Sequence, residues 1–218
     1  MLRTRPRALA GLMGALTLVL MLGVVSAPAR ADGPAPKRII SGWLPYWLTS
    51  SAKPQGVAVA TGNADLLTDV SPFWYSATAR AGGGVQVGFN PNFGGAAANA
   101  AWTVGQLKGA GIPVLPSIAD GSGKGTMAAT LANPTLRAQH VADIVALVSA
   151  NGYNGIDLDY EVFAFSDGNA SWAATQPNWT QFVTDLAAAL HAQGKQLSVT
   201  IPPPCGQNSV CGPQSGYW

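Results

Sequence analysis

Residues 153–161 read Tyr153-Asn154-Gly155-Ile156-Asp157-Leu158-Asp159-Tyr160-Glu161, and Glu161 is the only glutamate in the chain. Apolar and acidic residues alternate here with the period of a β-strand. Asp157, Asp159 and Glu161 are therefore expected on one face, and Ile156, Leu158 and Tyr160 on the other. Successive acids would lie roughly 7 Å apart, near enough for their carboxyls to couple. Crowded carboxylates raise one another's pKa, which keeps one acid protonated near neutral pH. Cleavage of a glycosidic bond needs such an acid. Two blander readings remain open: a Mg²⁺ or Mn²⁺ site built on two aspartates, and a solvated strand face. An EF-hand loop fails, because its sixth position would be Val162 where that loop requires glycine.

Outward from this strand, the pattern alternates strands and helices. Arg38–Leu44, Leu66–Tyr75, Ile112–Ile118 and Gln196–Ile201 read as further strands, and Gly82–Phe89 as a small hairpin arm. Ala96–Lys108, Pro134–Ala150 and Trp179–Gln193 read as helices, the second capped by Asn133 with Pro134 in its first position. Repeated strand–helix units imply parallel strands joined by helical crossovers, in an open doubly wound sheet or a (β/α)₈ barrel. No Gly-x-Gly-x-x-Gly follows the first strand, which disfavours a dinucleotide-binding sheet. Acids and aromatics gather at the C-terminal ends of several strands, where barrel enzymes carry their active sites. A TIM (β/α)₈ barrel is the expected fold.

Asn154-Gly155-Ile156-Asp157-Leu158-Asp159-Tyr160-Glu161 resembles the Asp-x-x-Asp-x-Asp-x-Glu signature of family 18 glycoside hydrolases, the chitinase-like family, which lies on the fourth barrel strand. Ser41-Gly42-Trp43-Leu44-Pro45-Tyr46-Trp47 is similar to the first strand of that family. The resemblance runs from about Arg38 to the C-terminus, with three departures. Asn154 replaces the first acid. The third strand ends Ser117-Ile118-Ala119-Asp120, where the family usually has Ser-x-Gly-Gly. Trp218 follows soon after the fifth strand, so the barrel is expected to be incomplete, with about five of eight βα units. Alone, such a chain is expected to be unstable and to hydrolyse poorly.

The resemblance implies retaining, substrate-assisted hydrolysis of a β-1,4 bond next to N-acetylglucosamine, in chitin or a related glycan. Glu161 would be the general acid and base, Asp159 would orient the acetamido group, and Asp157 would share a proton with Asp159. Neither a metal nor an organic cofactor is implied. Trp43 and Tyr75 are the candidate sugar contacts among the aromatics Trp43, Tyr46, Trp47, Phe73, Trp74 and Tyr75, although aromatic residues also serve as core. The competing class is a non-catalytic or inactive carbohydrate-binding barrel relative. His140 and His191 lack metal-ligand spacing and read as ordinary helix residues.

Composition limits the remaining choices. Arg3, Arg5 and Arg7, the apolar run Ala8–Val25 and Ala29-Arg30-Ala31 read as a secretory signal peptide over residues 1–31, with an uncleaved membrane anchor as the alternative. A Pro/Ala/Gly linker over 32–37 would then lead into a partial catalytic domain over 38–218. Cleavage takes four of the 12 basic residues and leaves 8 against 10 acidic ones, a net charge of −2. That balance excludes an electrostatic nucleic-acid partner and, after cleavage, a membrane partner. The expected product is secreted and extracellular, binds an N-acetylglucosamine-containing glycan, and would be a monomer were the barrel complete. Cys205 and Cys211 are expected to close a small disulfide loop, with two free thiols as the alternative.

Overall fold

The computed structural model describes residues 38–201. The expected signal peptide and linker, and the pair Cys205 and Cys211, lie outside the described residues. Strand β1 (Ser41–Pro45) stops at a proline, which has no N–H to offer a ladder, and a 3₁₀ turn at Tyr46–Leu48 leads to helix α1 (Gln55–Gly62). The chain continues through β2 (Asp69–Ala79), β3 (Val85–Phe89), α2 (Ala96–Gly109), β4 (Ser117–Asp120), α3 (Thr126–Ala132) and α4 (Pro134–Ala150). It then forms β5 (Gly155–Asp159), α5 (Glu161–Asp167), α6 (Trp172–His191) and β6 (Gln196–Val199).

The strands β1, β2, β4, β5 and β6 are parallel and lie side by side in sequence order. A doubly wound sheet would reverse that order, so the arrangement is that of a barrel wall. Strand β3 is the expected hairpin arm, antiparallel to the far end of β2, and Gly82, Gly83 and Gly84 turn the chain with φ of 88°, 111° and 77°. Among the described residues, the outer edges of β1 and β6 have no partner strand.

Helix spacing explains the core. Trp179, Phe182, Leu186 and Leu190 recur at three- and four-residue steps along α6, and His140, Ile144 and Val148 do so along α4. These stripes pack on the outward face of the sheet, where Val70, Ile118, Ile156 and Leu158 are fully buried. Each such aliphatic side chain contributes roughly 1.5–3 kcal/mol by leaving water. Asn133 caps α4 as its sequence implies: Oδ1 accepts from the amides of Thr135 at 3.0 Å and Leu136 at 3.2 Å.

Three expectations need correction. The acidic strand ends at Asp159 rather than Glu161; Tyr160 takes φ −94°, ψ 43°, and Glu161 opens α5. Asp157 and Asp159 therefore share a strand face, while Glu161 reaches the same region from a helix. Helix α6 begins at Trp172, seven residues before the expected start, and passes through Pro177. Pro177 is the sixth residue of the helix and forfeits one backbone bond, so packing holds the helix through it, with Thr175 and Trp179 buried on either side.

The third correction concerns Tyr75. Counting alternately from Ser71 and Phe73 would turn it to the carboxylate face. The pairing of β2 with β4 instead shifts register between Phe73 and Tyr75, so that Phe73 faces Ser117 and Tyr75 faces Ile118. One extra residue reverses the facing of all that follow. Tyr75 is 2% exposed, stacks on Phe89 with ring centroids 4.7 Å apart, and shares a 2.8 Å hydrogen bond with the Tyr153 hydroxyl. It is core, out of reach of a sugar.

Candidate active site

The parallel registers place side chains in rows across the inner face. Phe73, Ser117, Asp157 and Ser198 occupy one row, and Ser76, Ala119 and Asp159 the row above it. Apart from Phe73, the neighbours of the two acids within these rows are small, and the indole of Trp43 reaches Asp157 from β1. Gly155 makes this placement possible: a Cβ there would sit 2.2 Å from the Gln196 carbonyl oxygen, so any larger residue pushes β6 away from β5.

Asp157 is 1% exposed and is gripped on a single oxygen. Its Oδ2 accepts from Ser117 Oγ at 2.6 Å and from Trp43 Nε1 at 3.2 Å. Trp43 thereby spans from β1 to β5 with much of its ring still open to solvent. An open groove of about 440 Å³ lies at this point, lined by Ser41, Trp43, Ser71, Asp157, Ser198 and Thr200, among others.

Asp159 stands one row higher, at the C-terminal end of β5, and is half-buried. Its pKa is pushed up from 3.8 to about 6, by burial first, then by the negative charge of Glu161, then by that of Asp157. The crowding inferred from the sequence thus acts on Asp159. Asp157 and Glu161 both lie close enough to Asp159 to repel its charge, so the three acids form one electrostatic group despite the helical start at Glu161.

Asn154, the neutral member of the signature, is turned away from this group. Its Oδ1 accepts from the Val114 amide at 3.1 Å, and its own amide donates to the Val114 carbonyl at 2.9 Å. It pins the start of β5 to the neighbouring strand. Asp120, the unusual end of β4, is buried and held by the amide and hydroxyl of Ser122 at 2.9 and 2.7 Å. Burial raises its pKa, with the charge of Asp167 adding to the rise against those hydrogen bonds.

The residues not anticipated as site-forming are Ser117, Ser71 and Ser198. Their rows follow from the pairing of β2, β4 and β6 with their neighbours, which no local pattern shows. Among the described residues, no cluster of three His, Cys, Asp or Glu is placed to hold a metal ion.

A family model described as glycosyl hydrolases family 18 matches residues 99–214, more than half of the chain. The chain belongs to family 18 of the glycosyl hydrolases. Solved structures with the same fold include a chitinase from Chromobacterium violaceum, 22% identical, with a TM-score of 0.56 over 82% of this chain and 50% of that one. The spore cortex-lytic enzyme SleL of Bacillus megaterium is 17% identical, with a TM-score of 0.57 over 83% of this chain and 38% of that one. The second catalytic domain of the Group II chitinase of Ostrinia furnacalis, in complex with penta-N-acetylchitooctaose, is 17% identical, with a TM-score of 0.57 over 74% and 43%. At these identities the likeness is one of fold. The family 18 chain spans half or less of the length of these solved chains. No curated protein matches it.

Proposed function

We propose that this family 18 domain hydrolyses β-1,4 bonds next to N-acetylglucosamine, with retention and with the substrate's own acetamido group as nucleophile. The acetamido oxygen bonds to the anomeric carbon as the bond to the leaving oxygen breaks, giving an oxazolinium ion. Glu161 gives its proton to the leaving oxygen. Water then attacks the anomeric carbon from the vacated side as its bond to the acetamido oxygen breaks, which restores the acetamide, and the Glu161 carboxylate takes the water's proton. Asp159 orients the acetamido group and offsets the positive charge that develops on it. Asp157, held by Ser117 and Trp43, keeps a second negative charge behind Asp159.

The observation that carries this reading is the rise of the Asp159 pKa to about 6 by burial and its two acidic neighbours, one of which, Asp157, lines an open groove. A carboxyl with that pKa gains or loses a proton near neutral pH at little cost, as alternation between two partners requires. The exposed indole of Trp43 supports a sugar contact at the same groove. The arginines and apolar run of residues 1–31 support export to the outside of the cell, where such polymers are found.

Hydrolysis of N-acetylglucosamine oligomers by the unaltered chain and by Glu161→Gln tests the proposal. The variant keeps shape and hydrogen bonding but cannot deliver a proton, so turnover should fall by about 10²–10⁴-fold while binding survives. Equal turnover in the two proteins removes Glu161 from the mechanism.

A further inference from the structure

Tyr160 lies between Asp159 and Glu161 in sequence, yet its side chain faces away from both, into the layer between sheet and helices, where it is fully buried. There its hydroxyl lies 2.9 Å from Nε2 of His140 on α4. The two rings are nearly parallel, 12° apart with centroids at 5.9 Å. Phe182 of α6 joins the stack, 5.2 Å and 9° from His140 and 6.2 Å and 7° from Tyr160.

His140 is a costly residue for this position. It is 1% exposed, and its Nδ1 is buried without a partner. Burial, with the charge of Arg80 second, holds its pKa at about 3, so the ring is neutral at ordinary pH. An unsatisfied buried nitrogen costs roughly 1–3 kcal/mol. A phenyl ring would fill the stack without that cost. The bond to the Tyr160 hydroxyl is the one interaction here that a phenyl ring could not make.

The backbone shows where that bond acts. The chain leaves β5 at Asp159 and enters α5 at Glu161, with Tyr160 alone forming the corner. Helix α5 is seven residues long and has no side-chain cap at its start, so its own hydrogen bonds fix its direction weakly. We propose that His140 is a positioning residue: by holding the Tyr160 hydroxyl it fixes the strand-to-helix corner, and with it the approach of the Glu161 carboxyl to Asp159. The kinetic consequence rests on the hydrolase reading above; the geometric one does not. Charges that face the pair are Arg80, which ion-pairs with Asp143 of α4, and Asp120 of β4, which acts on Tyr160.

The test combines a carboxyl ¹³C NMR titration of Asp159 with hydrolysis of an N-acetylglucosamine oligomer, in the unaltered chain, Tyr160→Phe, His140→Phe, the double variant and His140→Gln. Loss of the bond lets Glu161 move from Asp159, so the Asp159 midpoint should fall toward the ordinary carboxylate range in both Phe variants. In the same variants kcat should drop about tenfold or more with KM little changed. The double variant should be no worse than either single one, because both remove the same bond. Gln at 140, which still offers an amide to the hydroxyl, should recover part of both readouts. Tyr160→Phe removes one oxygen from a packed ring and decides the matter if His140→Phe does not fold. An unchanged Asp159 midpoint and kcat in folded Tyr160→Phe, or additive losses in the double variant, overturn the proposal. A fall of the midpoint with no hydrolysis by any form supports the positioning and overturns the hydrolase reading.

Discussion

Trp43 and Asp157 are 114 positions apart in sequence, and the indole Nε1 of one donates to the carboxylate Oδ2 of the other at 3.2 Å. This contact joins the first strand of the wall to the acidic strand across the inner face. It leaves the indole 59% exposed, so one side chain both orients an acid and presents an aromatic surface at the groove.

Removing these two roles separately should have separate effects. Trp43→Phe keeps a ring but loses the donor, so turnover should fall several-fold with oligomer affinity nearly intact. Trp43→Ala loses both, and affinity should drop by about 2–10-fold more, the range set by ~0.5–1.5 kcal/mol for an aromatic contact. Calorimetric titration of an N-acetylglucosamine oligomer checks the affinity. Equal affinity in the Ala and Phe variants would remove Trp43 from the sugar site.

Two buried groups should pull stability in opposite directions with pH. Asp159 has a folded pKa of about 6 against an ordinary 3.8, so the folded state holds the extra proton between those values, and stability falls as pH rises through that window. His140 has a folded pKa of about 3 against an ordinary 6.5, so the unfolded state holds the extra proton, and stability is lost as pH falls below 6.5. Relative to the unaltered chain, Asp159→Asn should therefore gain stability as pH rises from 4 to 6. His140→Phe should gain it as pH falls over the same range. Urea melts of the three proteins at pH 4 and pH 6 check both signs; parallel changes in the two variants would contradict them.

Gly155→Ala should be among the most damaging single-methyl additions in the chain. The new Cβ meets backbone, which cannot rotate aside, at 2.2 Å. The strands β5 and β6 must separate, and the cost should reach or exceed the ~1–3 kcal/mol typical of overpacking. Thermal melting checks it. A melting temperature within 1–2 °C of the unaltered chain would mean that the strand pair yields without loss.

Much of the architecture was legible because local signals agreed. The alternation in 156–160, the cap at Asn133 and the glycines at 82–84 each name their element, and the parallel order follows from alternating strands and helices. The acids Asp157 and Asp159 were legible for the same reason. Tyr75 was not, because the register shift after Phe73 is set by pairing with β4, a tertiary contact that no local pattern carries. Glu161 on a helix was likewise hidden: the alternation continues one step beyond the point where the ladder stops. His140 looked ordinary in sequence because its partner, Tyr160, lies in another element.

The most direct test of the central claim is the fate of the acetamido group. A ¹H NMR time course follows the first product released from an N-acetylglucosamine oligomer, beside a matched glucosamine oligomer that lacks the acetyl groups. Asp159 and Glu161 working around an acetamido nucleophile predict the β-anomer as first product, and at most a trace of cleavage of the deacetylated oligomer. Release of the α-anomer, or equal rates on the two oligomers, would contradict it.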